Sequence, residues 1–358
     1  MKVVSLFSGC GGLDLGLERA GFEVVLACDN DSWCAASHAE NFPGVPFVRA
    51  SVAALDAETL ARESGGATIG DIDLLAGGPP CPPFSKSRFY LKDKPRALAD
   101  ESADETIMGY LAVLEAVRPR AFLLENVAGL AYKVHRSAVQ LIIDRAEALG
   151  YRVAIKVLNA ANYGVPQMRE RTFVVGMLGR DFEFPEPSHA RAPEESLLST
   201  ERVPWETAGA AISDLDSIEN ADDAGHFAGG KYHHLLRQVP PGDNYLFFTA
   251  KRGHSKPEFI WRSRYWSFLL KLNPDLPSWT IQARRSNNMG PFHWRNRILR
   301  IEEVKRLQTF PDDWFLSGTL ERQWRQVGNA VPPMLALRLG EAIREQLAAK
   351  SSDHALAA

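Results

Sequence analysis

The 358-residue sequence predicts an α/β fold: a doubly wound, mostly parallel sheet with a smaller, loop-rich second domain. Three observations predict the α/β part. An apolar run at 3–7 leads straight into a glycine loop at 9–12. Apolar runs of strand length then alternate with helical patterns as far as Met177, the texture of a parallel sheet with crossover helices. Beyond Phe184 that texture ends: Pro185, Pro187, Pro193 and Pro204 punctuate a polar stretch before a basic, aromatic segment begins.

Taken in order, 3–7 reads as a buried strand, 13–20 as a helix closed by Gly21, and 23–28 as a strand ending at Asp29, which together make a βαβ unit. Further strands are expected at 72–76, 121–125, 152–159 and 172–177, with helices at 106–117 and 135–149. After Arg300 helical patterns return at 301–310 and 332–348, the last with apolar residues spaced to pack back on the sheet. The expected division is therefore a first domain at 1–184, completed by 300–358, around a separate domain at 185–299.

Composition narrows the class. At roughly 150 residues per domain the length suits about two domains. The 45% hydrophobic and 24% charged residues match globular averages and exclude disordered, collagen-like and coiled-coil chains. The longest uncharged runs, for example 74–85 and 157–168, are about a dozen residues and fall short of the roughly 18 needed to span a bilayer. Neither a membrane anchor nor a signal core is expected, so the protein is placed in the cytoplasm. Cys10, Cys28, Cys34 and Cys81 form no CxxC pair, which argues against a disulfide framework or a zinc cluster. His233, His234 and His293 lack partners at ligand spacing; a surface or polymer-contacting place is expected for them, and no metal.

The formal charge of -3 hides a split: 226–306 carries 15 Lys and Arg against 5 Asp and Glu, whereas the remainder carries 26 against 39. Aromatics such as Tyr245, Phe248, Trp261, Trp266 and Phe292 interleave with those cations. The pattern suits phosphate contacts with base or sugar packing. A small basic domain whose aromatics are its core has the same composition.

The motifs carry the chemistry. FSGCGG at 7–12 has the GxG spacing, but Asp14 stands where a dinucleotide fingerprint has its third glycine, and no GK[ST] follows. A glycine turn after the first strand with an acid, Asp29, at the end of the second suits a nucleoside without a pyrophosphate, such as S-adenosylmethionine; a tight turn with a solvated Asp is the plain alternative. GGPPCPPFS at 77–85 follows the strand DIDLLA, so Cys81 is delivered to the carboxyl edge of the sheet, stiffened by four prolines. A free thiol has a pKa of about 8.5 and becomes a nucleophile where its surroundings favour the thiolate. ENV at 125–127 and QMRER at 167–171 bring Glu125, Arg169 and Arg171 to strand ends near the same rim. A buried glutamate can give a proton to a ring nitrogen, and a guanidinium can hold a carbonyl oxygen in plane.

With those residues in place the chain resembles the DNA (cytosine-5)-methyltransferases of bacterial restriction-modification systems, over nearly its whole length. FSGCGG resembles the cofactor loop, GGPPCPPFS the nucleophile loop, ENV the catalytic glutamate, QMRER the arginine motif and QVGNAVPP at 326–333 the closing cofactor motif, in the family's order. SWTIQA at 278–283 and the stretch 297–314 add to the likeness. The resemblance implies that Cys81 attacks carbon 6 of a flipped-out cytosine, Glu125 serves nitrogen 3, and Arg171, helped by Arg169, holds oxygen 2. It implies S-adenosylmethionine as cofactor and S-adenosylhomocysteine as product. The cofactor contacts it implies are Phe7, Ser8, Gly9, Cys10, Gly11, Gly12, Leu13, Asp29, Asn30, Val52, Pro80, Asn329 and Ala330, with Phe7 stacked on the adenine and the last two at the methionine end. It further implies double-stranded DNA as partner, a target-recognition domain at 185–299, a monomer, and the company of a cognate restriction endonuclease. Two departures stand out: Asp29 where the family commonly has Glu, and Ser51 where an acid near the adenine is usual. RNA methylation is disfavoured because the tRNA branch's characteristic insert is not recognised, and a non-catalytic relative is disfavoured because all four catalytic residues are kept.

Overall fold

The computed structural model describes residues 1–64, 70–80, 104–191, 202–216 and 226–349. Cys81, the expected nucleophile, therefore lies outside the described residues. Two compact units form. One comprises Met1–Leu158, Glu170–Glu186 and Ala330–Ala358; the other comprises Asn159–Arg169 and Pro187–Asn329.

In chain order the strands are β1 (Lys2–Leu6), β2 (Glu23–Cys28), β3 (Phe47–Val48), β4 (Leu74–Gly77), β5 (Ala121–Val127), β6 (Tyr151–Asn159), β7 (Gln167–Met168), β8 (Glu170–Leu178), β9 (His189–Ala190), β10 (Val203–Pro204) and β11 (Ser278–Trp279). The α-helices are α1 (Gly12–Arg19), α2 (Ser32–Asn41), α3 (Ala57–Glu63), α4 (Gly109–Val117), α5 (Arg136–Ala148), α6 (Ala208–Ile212), α7 (His233–Leu236), α8 (Ile301–Leu307), α9 (Leu320–Asn329) and α10 (Pro333–Ala348).

The first unit is a seven-stranded sheet in the order β3-β2-β1-β4-β5-β8-β6. Pairings β2–β3, β1–β2, β1–β4 and β4–β5 are parallel, and β5–β8 is antiparallel. Its central strands are near-continuous apolar runs, as strands covered on both faces must be. Leu74 to Ala76 and Ala121 to Leu124 are fully buried. The chain winds one way from β1 to β3 and the other from β4 onward, so the switch point lies between β1 and β4. Their paired carboxyl ends, Leu6 opposite Gly77, open the crevice where sheets of this kind bind ligands.

The C-terminal helix completes this unit by packing α10 on α1. A Cβ at Gly16 would lie 2.3 Å from the Cβ of Ala336, and one at Gly340 would lie 2.7 Å from that of Ala20. Only glycine lets the two backbones approach this closely. Arg120 and Arg180 fasten the end of α10 by donating to the carbonyls of Leu347 and Gln346.

The second unit has little regular structure around an aromatic and aliphatic core. The structure divides the aromatics of the basic segment: Tyr245, Phe248, Phe259, Phe268 and Phe292 are buried and form core, whereas Phe227, Tyr265 and Trp266 are exposed. The reading of His293 is corrected. It is fully buried, with its ring 4.0 Å from that of Trp294 and 3.6 Å from Glu303, and not on the surface. Burial first, then Arg297, Arg295 and Arg300, push its pKa down to about 2. The boundaries also differ from 184 and 300. Residues 301–329 pack with the second unit, where Arg306 pairs with Asp214 and Asp312, and the chain returns to the first only at Ala330.

Candidate active site

The glycine loop leaves β1 through residues in left-handed conformation: Phe7 at φ +54, Gly9 at +55 and Gly11 at +85. It is pinned from below. Ser8 donates its backbone N–H to the Cys28 carbonyl (3.0 Å), and its Oγ accepts from the Cys28 N–H (3.2 Å). The Gly9 N–H donates to Asp29 Oδ2 (3.0 Å), and the Asp31 N–H to Asp29 Oδ1 (2.9 Å). Burial raises the Asp29 carboxyl's pKa, and those two N–H donors oppose the rise. A Cβ at Gly9 would meet nothing within 4 Å, so the loop backbone faces open space there.

The expected cofactor residues divide by exposure. Asn30 and Pro80 are exposed, and Phe7, Gly9 and Asp29 are half-buried. Cys10, Leu13 and Val52 are buried. Burial pushes the Cys10 thiol up to about 12, which leaves it inert at neutral pH. Asn329 ends the second unit and Ala330 begins the return to the first.

Beneath the loop lies a network that sequence reasoning missed. Asp14, in the first turn of α1, accepts from Ser5 Oγ and pairs with His38 Nε2 at 2.9 Å. Both members of the pair are fully buried. His38 stacks on Phe42 at 4.4 Å, and the Phe42 ring fills the place a Cβ at Gly11 would need. Thus α2 is locked to the loop. The one hint was Asp14 itself, standing where a glycine was sought; nothing in the sequence marked His38 as its partner.

At the other lip of the crevice β4 ends in Gly77, and Pro79 accepts through its carbonyl from Asn126 Nδ2 (3.2 Å). Tyr110 of α4, fully buried, donates from its hydroxyl to the carbonyls of Leu75 (3.0 Å) and Leu123 (3.1 Å). As those groups are both acceptors, the hydroxyl hydrogen is shared between them and holds β4 and β5 together.

Glu125 is placed by β5, and Arg171 by β8. In the antiparallel register Arg171 faces Val127, so Glu125, two residues back on the same face, is its diagonal neighbour. Glu125 Oε1 lies 3.0 Å from Arg171 Nε, and their side chains are only 8% and 15% exposed. A Cβ at Gly78 would stand 3.0 Å from Glu125 Oε2. The carboxylate therefore lies over the backbone three residues before Cys81.

Arg169, fully buried in the second unit, donates from Nη1 to the Ile281 carbonyl (3.1 Å) and from Nη2 to that of Gly328 (2.8 Å). Gln167 adds to the clasp: its Nε2 donates to the Leu307 carbonyl (3.1 Å), and its Oε1 accepts from the Ile281 N–H (3.0 Å). Three separate stretches, QMRER, SWTIQA and QVGNAVPP, are thereby tied into one structure.

A family model for C-5 cytosine-specific DNA methylase matches residues 1–345. The type II methyltransferase M.SacI of Streptomyces achromogenes is 38% identical over 97% of this chain and 93% of its own length. The type II methyltransferase M.NgoFVII of Neisseria gonorrhoeae is 34% identical over 96% and 86%. Among solved structures the S. pombe Dnmt2 methyltransferase superposes with a TM-score of 0.64 at 18% identity, covering 98% of this chain and 99% of that one, which speaks for the fold alone. With a glycine loop and a buried carboxylate–guanidinium pair at the two lips of one crevice, and a family match across nearly all of its length, the chain belongs to the C-5 cytosine-specific DNA methylases.

Proposed function

We propose that this family member methylates carbon 5 of a flipped-out cytosine within a specific short sequence of duplex DNA, through a covalent adduct on Cys81. The observation that carries the reading is the Glu125–Arg171 pair at 3.0 Å, beside the start of the cysteine loop.

The residues at the first lip fit S-adenosylmethionine. Gly9 leaves room for close approach, and Asp29 offers a half-buried carboxylate as acceptor for ribose hydroxyls. When bound, that cofactor supplies an electrophilic methyl group. Phe7 and Asn30 then flank the adenine, the backbone of 8–13 with Val52 and Pro80 encloses the nucleoside, and Asn329 and Ala330 complete the methionine end.

Carbon 5 of neutral cytosine is a poor nucleophile, and covalent addition divides the difficult step. The Cys81 thiolate forms a bond to carbon 6 while Glu125 protonates nitrogen 3, and the ring's electron pair is thrown onto carbon 5. Arg171 holds oxygen 2 and fixes the ring in plane. Carbon 5 takes the methyl group; its proton then leaves to a base, and the carbon–sulfur bond breaks to restore the thiolate and the aromatic ring. Arg169, whose guanidinium is occupied by the carbonyls of Ile281 and Gly328, acts as a positioning residue that aligns the strand leading to Arg171.

The segment 185–299 serves as the target-recognition domain, its cations meeting phosphates. We further propose a monomer, acting on the bacterial chromosome in the cytoplasm beside a cognate restriction endonuclease; among the described residues no helix is long and apolar enough to cross a membrane. Sequencing of 5-methylcytosine in DNA from cells expressing the protein tests the reading. Methylation at one short motif, lost in Cys81→Ser, is expected; unmethylated DNA from cells holding folded protein contradicts it.

A further inference from the structure

The glycine loop holds a conformation that a free chain avoids. Phe7, with a side chain, sits in the left-handed region at φ +54, and Gly9 and Gly11 follow it there. Such a backbone keeps one shape only where its surroundings over-determine it.

His38 reaches this loop by three routes. Its Nε2 donates to Asp14 Oδ2 (2.9 Å), Asp14 Oδ1 accepts from Ser5 Oγ, and Ser5 Oγ accepts from Ser8 Oγ (3.1 Å) inside the loop. Its ring stacks on Phe42 (4.4 Å), whose own ring lies where a Cβ at Gly11 would stand. Its helix, α2, begins at the Asp31 cap, and the Asp31 N–H donates to Asp29 Oδ1 (2.9 Å). One side chain thus braces the start of the loop, its end and the acid beside it.

Packing alone does not call for histidine at this position. The ring is fully buried, stacked on Phe42 and 5.0 Å from the ring of Phe47, and its Nδ1 has no hydrogen-bond partner among the described residues. An orphaned buried nitrogen is unfavourable. A buried polar pair is also often no more stable than apolar side chains of similar volume. Stability therefore gives little reason for the Asp14–His38 pair, whereas a fixed loop gives one.

We propose that His38 is a positioning residue for the cofactor: through Asp14, Phe42 and α2 it holds the backbone of 8–12 and Asp29 in the shape that takes S-adenosylmethionine. The inference rests on the reading of the glycine loop as the cofactor site and names the side chain that keeps that site preformed. A preformed loop binds without an ordering cost, so loosening it weakens affinity and leaves the chemical step alone.

Three variants carry the test: His38→Leu; His38→Gln, whose amide can donate from the place of Nε2; and Asp14→Ala combined with His38→Leu, which removes both members of the pair. Each is followed by calorimetry with S-adenosylhomocysteine and by steady-state methylation of a duplex carrying the motif located by sequencing. His38→Leu and the double variant are expected to weaken binding by about tenfold or more and to raise KM for S-adenosylmethionine to match, with kcat within about twofold of the wild type. His38→Gln is expected to stay within about threefold of the wild type in affinity. A merely structural role would instead lower the amount of folded enzyme, and so kcat, at unchanged KM. The double variant leaves neither member unpaired and keeps the test valid should His38→Leu fail to fold. Wild-type affinity in the double variant, a loss confined to kcat, or His38→Gln as weak as His38→Leu overturns the positioning role while the cofactor reading stands. A wild type without affinity for S-adenosylhomocysteine overturns that reading and the inference with it.

Discussion

Glu125 and Arg171 meet 3.0 Å apart across two antiparallel strands, and the sheet register alone makes them diagonal neighbours. The proposed proton donor and oxygen clamp are thus fixed relative to each other by backbone pairing. Glu125→Gln keeps the shape and cannot supply the proton. Its single-turnover rate is expected to fall by about 10²–10⁴ with DNA affinity little changed. If the two groups serve one ring together, as proposed, Glu125→Gln combined with Arg171→Ala is expected to cost little more than the worse single change. Additive losses would show that they act on separate steps.

Arg169 is expected to behave differently from Arg171. Arg169→Ala strips the donor from two carbonyls, those of Ile281 and Gly328, at roughly 1–3 kcal/mol for each buried group left without a partner. Urea unfolding should show that loss. A variant as stable as the wild type but slow in methyl transfer would place Arg169 at the substrate instead.

If Asp29 accepts from the cofactor's ribose, as proposed, cofactor binding is expected to depend on pH. Its carboxyl has a raised pKa in the fold, so the folded state holds its proton to higher pH than the unfolded chain. Ionised Asp29 therefore opposes folding above its folded pKa, and that opposition fades as pH falls through it. Asp29→Asn is expected to hold or raise the melting temperature at neutral pH while weakening S-adenosylhomocysteine binding in calorimetry. In the wild type the same affinity should fall as the pH is lowered through the carboxyl's titration. Affinity independent of Asp29 would remove it from the ribose site.

His293 gives the opposite stability dependence. Its pKa is pushed from the ordinary 6.5 down to about 2, so below 6.5 the unfolded chain takes up a proton that the folded one refuses. Stability is full above pH 6.5 and is lost on acidification by at most about 1.4 kcal/mol per pH unit from this group. His293→Gln should flatten the pH dependence of denaturant unfolding between pH 6 and 4, and an unchanged slope would contradict the assignment.

Thiol labelling separates the cysteines. Burial first raises Cys10 to about 12 and Cys28 to about 11, and Cys34 is buried. Brief treatment with iodoacetamide at neutral pH, read by mass spectrometry, is expected to alkylate Cys81 and spare those three. Early alkylation of Cys10 would contradict the packing of the glycine loop.

Much of the sheet was legible because its strands are apolar runs with sharp ends. LLAG and AFLL can sit only between covered faces, and the glycine and proline loops mark where they stop. Helix α2 was not legible: SWCAASHAEN buries only Cys34, Ser37 and His38, and its start is signalled by the Asp31 cap rather than by an apolar stripe. The Asp14–His38 pair joins residues 24 apart, and no local pattern reports such a partner. QMRER does not reveal the separate partners of its arginines: Arg171 pairs with Glu125, while Arg169 donates to the carbonyls of Ile281 and Gly328. The basic segment's aromatics were ambiguous because phosphate-facing and core-forming rings share one composition, and burial decided for the core at Tyr245 and Phe248.

The most direct test of the account is covalent trapping. Duplex DNA carrying 5-fluorocytosine in the methylated motif blocks release of the adduct, because carbon 5 then has no proton to lose. Denaturing gel electrophoresis with S-adenosylmethionine present is expected to show a stable protein–DNA species, absent without the cofactor and absent in Cys81→Ser. Persistence of that species in Cys81→Ser, or failure of the wild type to form it while it methylates the ordinary duplex, would contradict the covalent mechanism.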